Sequence, residues 1–250
     1  DGKKLNVLKG IPKLEDANFA GTKKSGECCL IITEGDSAKA LAMSGRSVIG
    51  NDKYGVFPLK GKLLNIREAT VKQQLENEEI KNLKKILGLQ EKKVYTDTDD
   101  LRYGKLLILA DQDCDGFHIK GLVMNWIHFK WPSLLKLEFI VSLATPIIRA
   151  NKKKTIKSFY NIPEYNKWKK SINSNSWHVK YYKGLGTSNA TEAKEYFTDI
   201  QDKLIRYKWD DKYDEEVNLS DKMIKLAFEK NQADNRKKWL EDTSQEMNLD

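Results

Sequence analysis

Cysteine, histidine and long apolar runs are all scarce in this 250-residue chain, and each shortage removes a class of protein. Three cysteines, two of them adjacent at Cys28 and Cys29, allow neither a disulfide framework nor a zinc-binding spacing. No apolar stretch reaches the ~20 residues that a membrane helix needs, and the opening DGKKLNVLKG lacks the apolar core of a signal peptide. There is no initiator Met, no internal repeat and no nucleotide-cradling glycine motif, so the chain reads as an excised piece of something longer.

What is present suits a globular protein, with 40% hydrophobic and 10% aromatic residues, enough for a sizeable core. The net charge is +8, and residues 151–208 hold 13 Lys/Arg against 5 Asp/Glu, which accounts for all of it. Charge so concentrated points to a polyanionic partner at that segment, the alternative being a solvated lysine-rich surface. Cys114 stands between acidic residues, where a reducing intracellular compartment suits it best.

The most informative stretch is KLLILADQDCDGFHIKG, residues 105–121. Leu106 to Ala110 form an unbroken apolar run, as in a strand buried on both faces. Asp111, Asp113 and Asp115 follow at alternate positions, then Gly116. Carboxylates so close repel one another unless a cation lies among them, and a hard, oxygen-seeking ion such as Mg²⁺ is the natural guest. An EF-hand calcium loop begins alike, but its twelfth position, here Leu122, requires a bidentate Glu. Strand ends of open α/β sheets are also where sites are usually built.

A second short strand, residues 28–32, ends in TEGDS before the helix-like AKALAMSG, with Asp36 or Ser37 as its cap. Glu34 then reaches the same sheet edge as Asp111. Val56 and Phe57 suggest another strand, after which Pro58 and Gly61 force a turn carrying Lys60 and Lys62, a candidate phosphodiester contact. Leu75, Ile80, Leu83 and Leu87 predict one amphipathic helix over 71–87, ended by Gly88 and followed by a mobile surface loop, EKKVYTDTDD. Ile119, Leu122, Val123, Trp126, Ile127 and Trp131 predict a buried helix stopped before Pro132. His118 reads as a donor behind the carboxylates and His128 as a packed or surface imidazole. Residues 139–149 suggest further strands. In WHVKYYKGLGT, Gly184 and Gly186 shape a turn beside Lys180 and Lys183, and the last forty residues are charged and helix-prone.

Together these stretches carry a resemblance. Glu34 in EGDSA after one strand and DQDCDG after another resemble the TOPRIM pattern of topoisomerases, bacterial primases and some nucleases. ITEGDSAKALA, DKYGVFPLKGKLLN, LADQDCDGFHIKGL, WPSLL and KYYKGLGTS are similar to the central region of eukaryotic type IIA DNA topoisomerases. The resemblance implies an α/β fold, a mostly parallel sheet flanked by helices over 27–145, preceded by a linker or upstream tail over 1–26. A basic α+β extension over 146–210 and a helical connector over 211–250 follow.

The same resemblance implies that Glu34, Asp111 and Asp113 are catalytic and ligate Mg²⁺, for which Mn²⁺ or Ca²⁺ can substitute in binding, and that Asp115 completes the cluster. Lys60, Lys62, Asn65, Lys183 and Gly184 fall where the family meets double-stranded DNA. The nucleophilic tyrosine and the ATP-binding domain are implied to lie outside this chain, in a full-length homodimer of the nucleus with no membrane partner. The isolated chain is then expected to bind Mg²⁺ and DNA weakly and to be inactive in strand passage. Alternatives are a primase or nuclease with the same acidic platform, or a non-catalytic basic DNA-binding scaffold.

Overall fold

The computed structural model describes residue 8 and residues 10–172, 176–214 and 217–247. Two apolar runs, Cys29–Glu34 (β1) and Lys105–Leu109 (β3), pair in parallel at the centre of a five-stranded sheet. Tyr54–Leu59 (β2) flanks β1 and Ile140–Leu143 (β4) flanks β3, both also parallel. Leu204–Arg206 (β8) adds an antiparallel edge, so the order is β2-β1-β3-β4-β8.

The side-chain period of two divides the central strands between two cores. Ile31, Leu107 and Leu109 point to one face, where Gly35–Ile49 (α1) and Ala190–Phe197 (α7) cover them with Leu41, Ala42, Ala193 and Phe197. Leu30, Ile32, Leu106 and Ile108 point to the other, under Glu78–Leu87 (α3) and Cys114–Lys130 (α4). Trp126 of α4 is fully buried there, edge-on to Trp131 with ring centroids 5.5 Å apart. Burial on both faces is why these strands read as continuous apolar runs rather than as alternating ones.

The predicted helix over 71–87 is two helices. Val71–Glu76 (α2) ends at Asn77, whose extended backbone (φ −67°, ψ 113°) breaks the run and whose side chain accepts the Ile80 N–H to start α3. An Asn offering its side chain to the backbone competes with helical hydrogen bonding, and Leu75 is left exposed while Ile80, Leu83 and Leu87 are buried. The predicted mobile loop after α3 is pinned to the fold. Tyr95 is buried, its hydroxyl accepts the Gln90 N–H, and its own N–H donates to Ser133 on Pro132–Lys136 (α5).

Part of the segment predicted as a linker also packs on the sheet. Glu15 bridges Val56, Ala17 and Ala20 are buried, and Asp16 accepts from Arg102 (2.6 Å) and from the Tyr103 hydroxyl.

Beyond β4 the basic half forms its own small sheet, Ile148–Lys152 (β5), Thr155–Phe159 (β6) and His178–Tyr181 (β7), antiparallel in the order β6-β5-β7. Ile162–Lys170 (α6) closes one face of it, packing its own Tyr165 over Ile148, Ala150 and Phe159. A two-stranded ribbon, Tyr213–Asp214 (β9) with Val217–Asn218 (β10), then leads to Leu219–Phe228 (α8) and Ala233–Met247 (α9).

Candidate metal centre and nucleic-acid interface

The parallel register brings the sequence-distant acids to one rim. Thr33 of β1 pairs with Leu109 of β3, so Glu34 ends one central strand while Asp111 stands just past the end of its neighbour. On the other side Glu34 pairs with Leu59, which places the Lys60–Lys62 turn at the same edge. Asp113 and Asp115 open α4 from this rim.

Glu34 feels all three aspartates. Its pKa is raised first by burial, then by the charges of Asp111, Asp113 and Asp115, with Lys62 opposing. Mutual repulsion of this kind marks a place where a cation would be stabilising, and the donor set, four carboxylates, fits a hard divalent ion. Among the described residues, however, no three His, Cys, Asp or Glu side chains converge closely enough to hold a metal ion as they stand. Each aspartate is engaged elsewhere. Asp111 Oδ1 accepts the Leu185 N–H at 2.7 Å, Asp113 Oδ1 accepts the Gly116 N–H at 2.8 Å, and Asp115 Oδ1 meets Lys62 Nζ at 2.6 Å. The last contact holds the Asp115 carboxyl below its ordinary pKa and the Lys62 ammonium above its own. Lys62 is thus a monovalent cation already seated among the acids.

The local turns follow from the sequence, with one exception. Asp113 is the N-cap of α4, as an Asp before a helix should be. Gly116 is needed because a β-carbon there would lie 2.0 Å from the Asp111 carbonyl oxygen. The exception is α1, where neither Asp36 nor Ser37 is the cap. Its N-cap is Glu34, without a side-chain cap bond, and Gly35 takes the left-handed turn (φ +74°). Asp36 instead meets Lys13 Nζ at 2.8 Å, a pairing invisible to local capping rules.

The predicted DNA contacts separate into three groups. Lys62, Lys183 and Gly184 border the acidic rim; Lys183 and Gly184 share a cleft with Asp111, Gln112 and Thr145. Lys60 leans away toward α3, its backbone N–H donating to Glu79 at 3.3 Å and its ammonium 3.8 Å from Glu78. Asn65 is engaged inside the protein: its amide donates to the Phe228 carbonyl at 3.1 Å and its oxygen accepts from Asn125 at 2.9 Å.

Sequence reasoning missed the side chains that surround Asn65. The Arg67 guanidinium donates to Asn125 Oδ1 (2.7 Å), to Glu229 Oε1 (3.0 Å) and to His128 Nδ1 (2.6 Å). His128 is therefore a packed imidazole carrying its proton on Nε2, which lies 3.1 Å from Asp221. The spacing of Asn125 and His128, three apart on α4, was the available signal; their distant partners, Asn65 and Arg67 before α2 and Asp221 on α8, were not. His118 is exposed and acts on Asp115 only through its charge.

Comparison with known proteins matches the Toprim domain over residues 29–138 and the C-terminal associated domain of TOPRIM over 143–250. DNA topoisomerase 2 of Bombyx mori is 58% identical over 243 residues, covering 96% of this chain and 15% of that protein. DNA topoisomerase 2-alpha of Homo sapiens is 56% identical over 241 residues, with 95% and 15% covered. The chain thus spans about 15% of the curated relatives it matches. The solved Plasmodium falciparum topoisomerase II DNA-binding, cleavage and re-ligation domain superposes with a TM-score of 0.88 at 50% identity, over 94% of this chain and 32% of that one. With both domain models matched in order, the chain belongs to the TOPRIM family, and over nearly all of its length it is similar to a part of the DNA topoisomerase 2 proteins.

Proposed function

We propose that this chain supplies the metal-binding and DNA-contacting part of an ATP-dependent type II topoisomerase, which opens one duplex by transesterification, passes a second through it and reseals the break. The observation that carries the reading is the shared rim: Glu34 and Asp111 on neighbouring strand ends, with Lys62 and Gly184 beside them.

Glu34, Asp111 and Asp113 would hold Mg²⁺, and Asp115 would complete the negative cluster. A divalent ion bound there supplies charge neutralisation at the scissile phosphate and the departing 3′ oxygen. Glu34, at the same rim, would also serve in proton transfer at that oxygen. Asp111 is fixed by the Leu185 N–H, so the KGLG turn sets its direction. Lys62, released from Asp115, would turn to a phosphate beside Lys183 and Gly184, and Lys60 and Asn65 would join the duplex contact only by giving up Glu78 and Glu79, and Asn125 and Phe228, respectively.

In this reading the attacking tyrosine is the partner subunit's, in a winged-helix domain of the longer homodimeric protein. ATP binds at another domain, the protein works in the nucleus, and the 250 residues alone do not relax supercoils. The test is DNA cleavage by the full-length enzyme carrying Asp113→Asn, and by the unsubstituted enzyme under chelation. Loss of cleavage in both is expected; cleavage at the normal rate in either sinks the assignment.

A further inference from the structure

The basic half of the chain divides into cations that have partners and cations that do not. Arg149 lies 2.6 Å from Glu195 and Lys180 lies 2.9 Å from Glu192, while Lys203 donates to the carbonyls of Glu195 and Thr198. Residues 152–170 instead hold seven lysines, all exposed and none within ion-pair distance of a carboxylate among the described residues, with Glu164 as the stretch's lone acid.

Three of these lysines are organised by rings rather than by acids. Strand alternation puts Lys152 and Lys157 on the face that α6 covers, where Ala150 pairs with Lys157. Lys152 lies 5.9 Å from the Trp177 ring centroid, Lys157 5.7 Å from those of Phe159 and Trp168, and Lys169 5.9 Å from that of Tyr165. Trp168 and Trp177 meet edge-on at 5.1 Å, so the rings form one platform. An aromatic face orients an ammonium group without neutralising it. The result is a fixed, uncompensated positive surface.

Its position relates it to the acidic rim. Tyr182 donates its N–H to the Ile147 carbonyl at 2.9 Å, and both residues line the cleft that contains Asp111. From Ile148 at that root, β5 runs outward to Lys152, about 13 Å at the usual rise of a strand. That span is roughly four base pairs of duplex. We propose that the lysine–aromatic face of the small sheet is a second contact surface for the phosphate backbone of double-stranded DNA, gripping the arm that leaves the acidic rim. An acidic peptide would need the same charge but not this continuity with the cleft. The proposal rests on the DNA reading above.

The test is fluorescence anisotropy of a 30-base-pair duplex with the chain, as a function of salt. The triple variant Lys152→Gln, Lys157→Gln, Lys169→Gln is expected to lower the slope of log K against log[salt] by about 2.7, at ~0.9 per phosphate contact. At 0.15 M salt that corresponds to binding weaker by on the order of 100-fold. A double variant, Lys152→Gln, Lys169→Gln, which leaves Lys157 in place over Phe159 and Trp168, is expected to lower it by about 1.8 and serves if the triple variant loses its folded circular dichroism. An unchanged slope in the folded variants overturns this proposal alone, and so does loss of polyglutamate binding with DNA binding intact. No duplex binding by the unsubstituted chain overturns the DNA reading with it.

Discussion

A β-carbon at Gly184 would lie 2.3 Å from Asp111 Oδ2. The Gly184 backbone is extended (φ −178°), which any residue can adopt, so glycine is required by space and not by conformation. The KGLG turn and the acid it touches come from segments more than seventy residues apart, and each fixes the other through the Leu185 N–H bond to Asp111.

Substituting Gly184→Ala is therefore expected to displace either the carboxylate or the turn. Overpacking of this kind costs about 1–3 kcal/mol. Thermal unfolding should show that loss, and Mn²⁺ titration followed by electron paramagnetic resonance should show affinity reduced at least tenfold. Normal Mn²⁺ affinity in the variant would mean that Asp111 takes no part in holding the ion.

Asp113 has a structural use as the N-cap of α4 and a proposed use as a ligand, and two substitutions separate them. Asp113→Asn keeps a good cap and removes the charge, so unfolding should be unchanged while Mn²⁺ binding is lost. Asp113→Ala should lose both, with stability reduced by about 1 kcal/mol. Equal Mn²⁺ affinity in the Asn variant and the parent would contradict the ligand assignment.

Lys62 competes with any ion for Asp115. Both side chains are exposed, and a solvated pair adds little to stability. Lys62→Gln should leave the melting temperature unchanged, tighten Mn²⁺ binding in the absence of DNA and weaken duplex binding. Calorimetry of the metal and anisotropy of the duplex read the two opposite signs; changes of the same sign would refute the competition.

Burial, and then the neighbouring Arg67 charge, hold the His128 imidazole below its ordinary pKa of 6.5. The unfolded chain then takes up a proton before the folded one, so this residue's contribution to stability is intact above pH 6.5 and falls as pH drops below it. Asp221 and Lys225 on α8 also face the ring and shift its pKa in opposite senses. Melting temperatures measured from pH 7.5 to 5 should fall more steeply for the parent than for His128→Gln. Parallel curves would mean that the imidazole takes up its proton at the same pH in the folded and the unfolded chain.

The acidic rim shows how far residue patterns reach. An apolar strand that ends in acids can be recognised locally, because burial on both faces removes polar residues from the strand while the end of the sheet stays open to solvent. Glu34 and the three aspartates were found in this way. The break at Asn77 was equally local but was hidden by an apolar period that runs through it, since Leu75 keeps helical spacing although it is exposed. Asn65 illustrates the opposite limit. Its residue type and its basic neighbours suit a phosphate contact, yet its partners Asn125 and Phe228 are sixty and more residues away.

The order of residues alone determined where the central parallel strands lie, which of them end in carboxylates, and where positive charge accumulates, because each is set by neighbours within a few positions. Only the tertiary structure decided which of those charges are free. Lys62 is held by Asp115 and Lys180 by Glu192, whereas the lysines of residues 152–170 rest at most on aromatic rings. Long side chains take their partners from whatever the fold brings within about 4 Å, and that proximity is a property of packed strands and helices, not of sequence spacing.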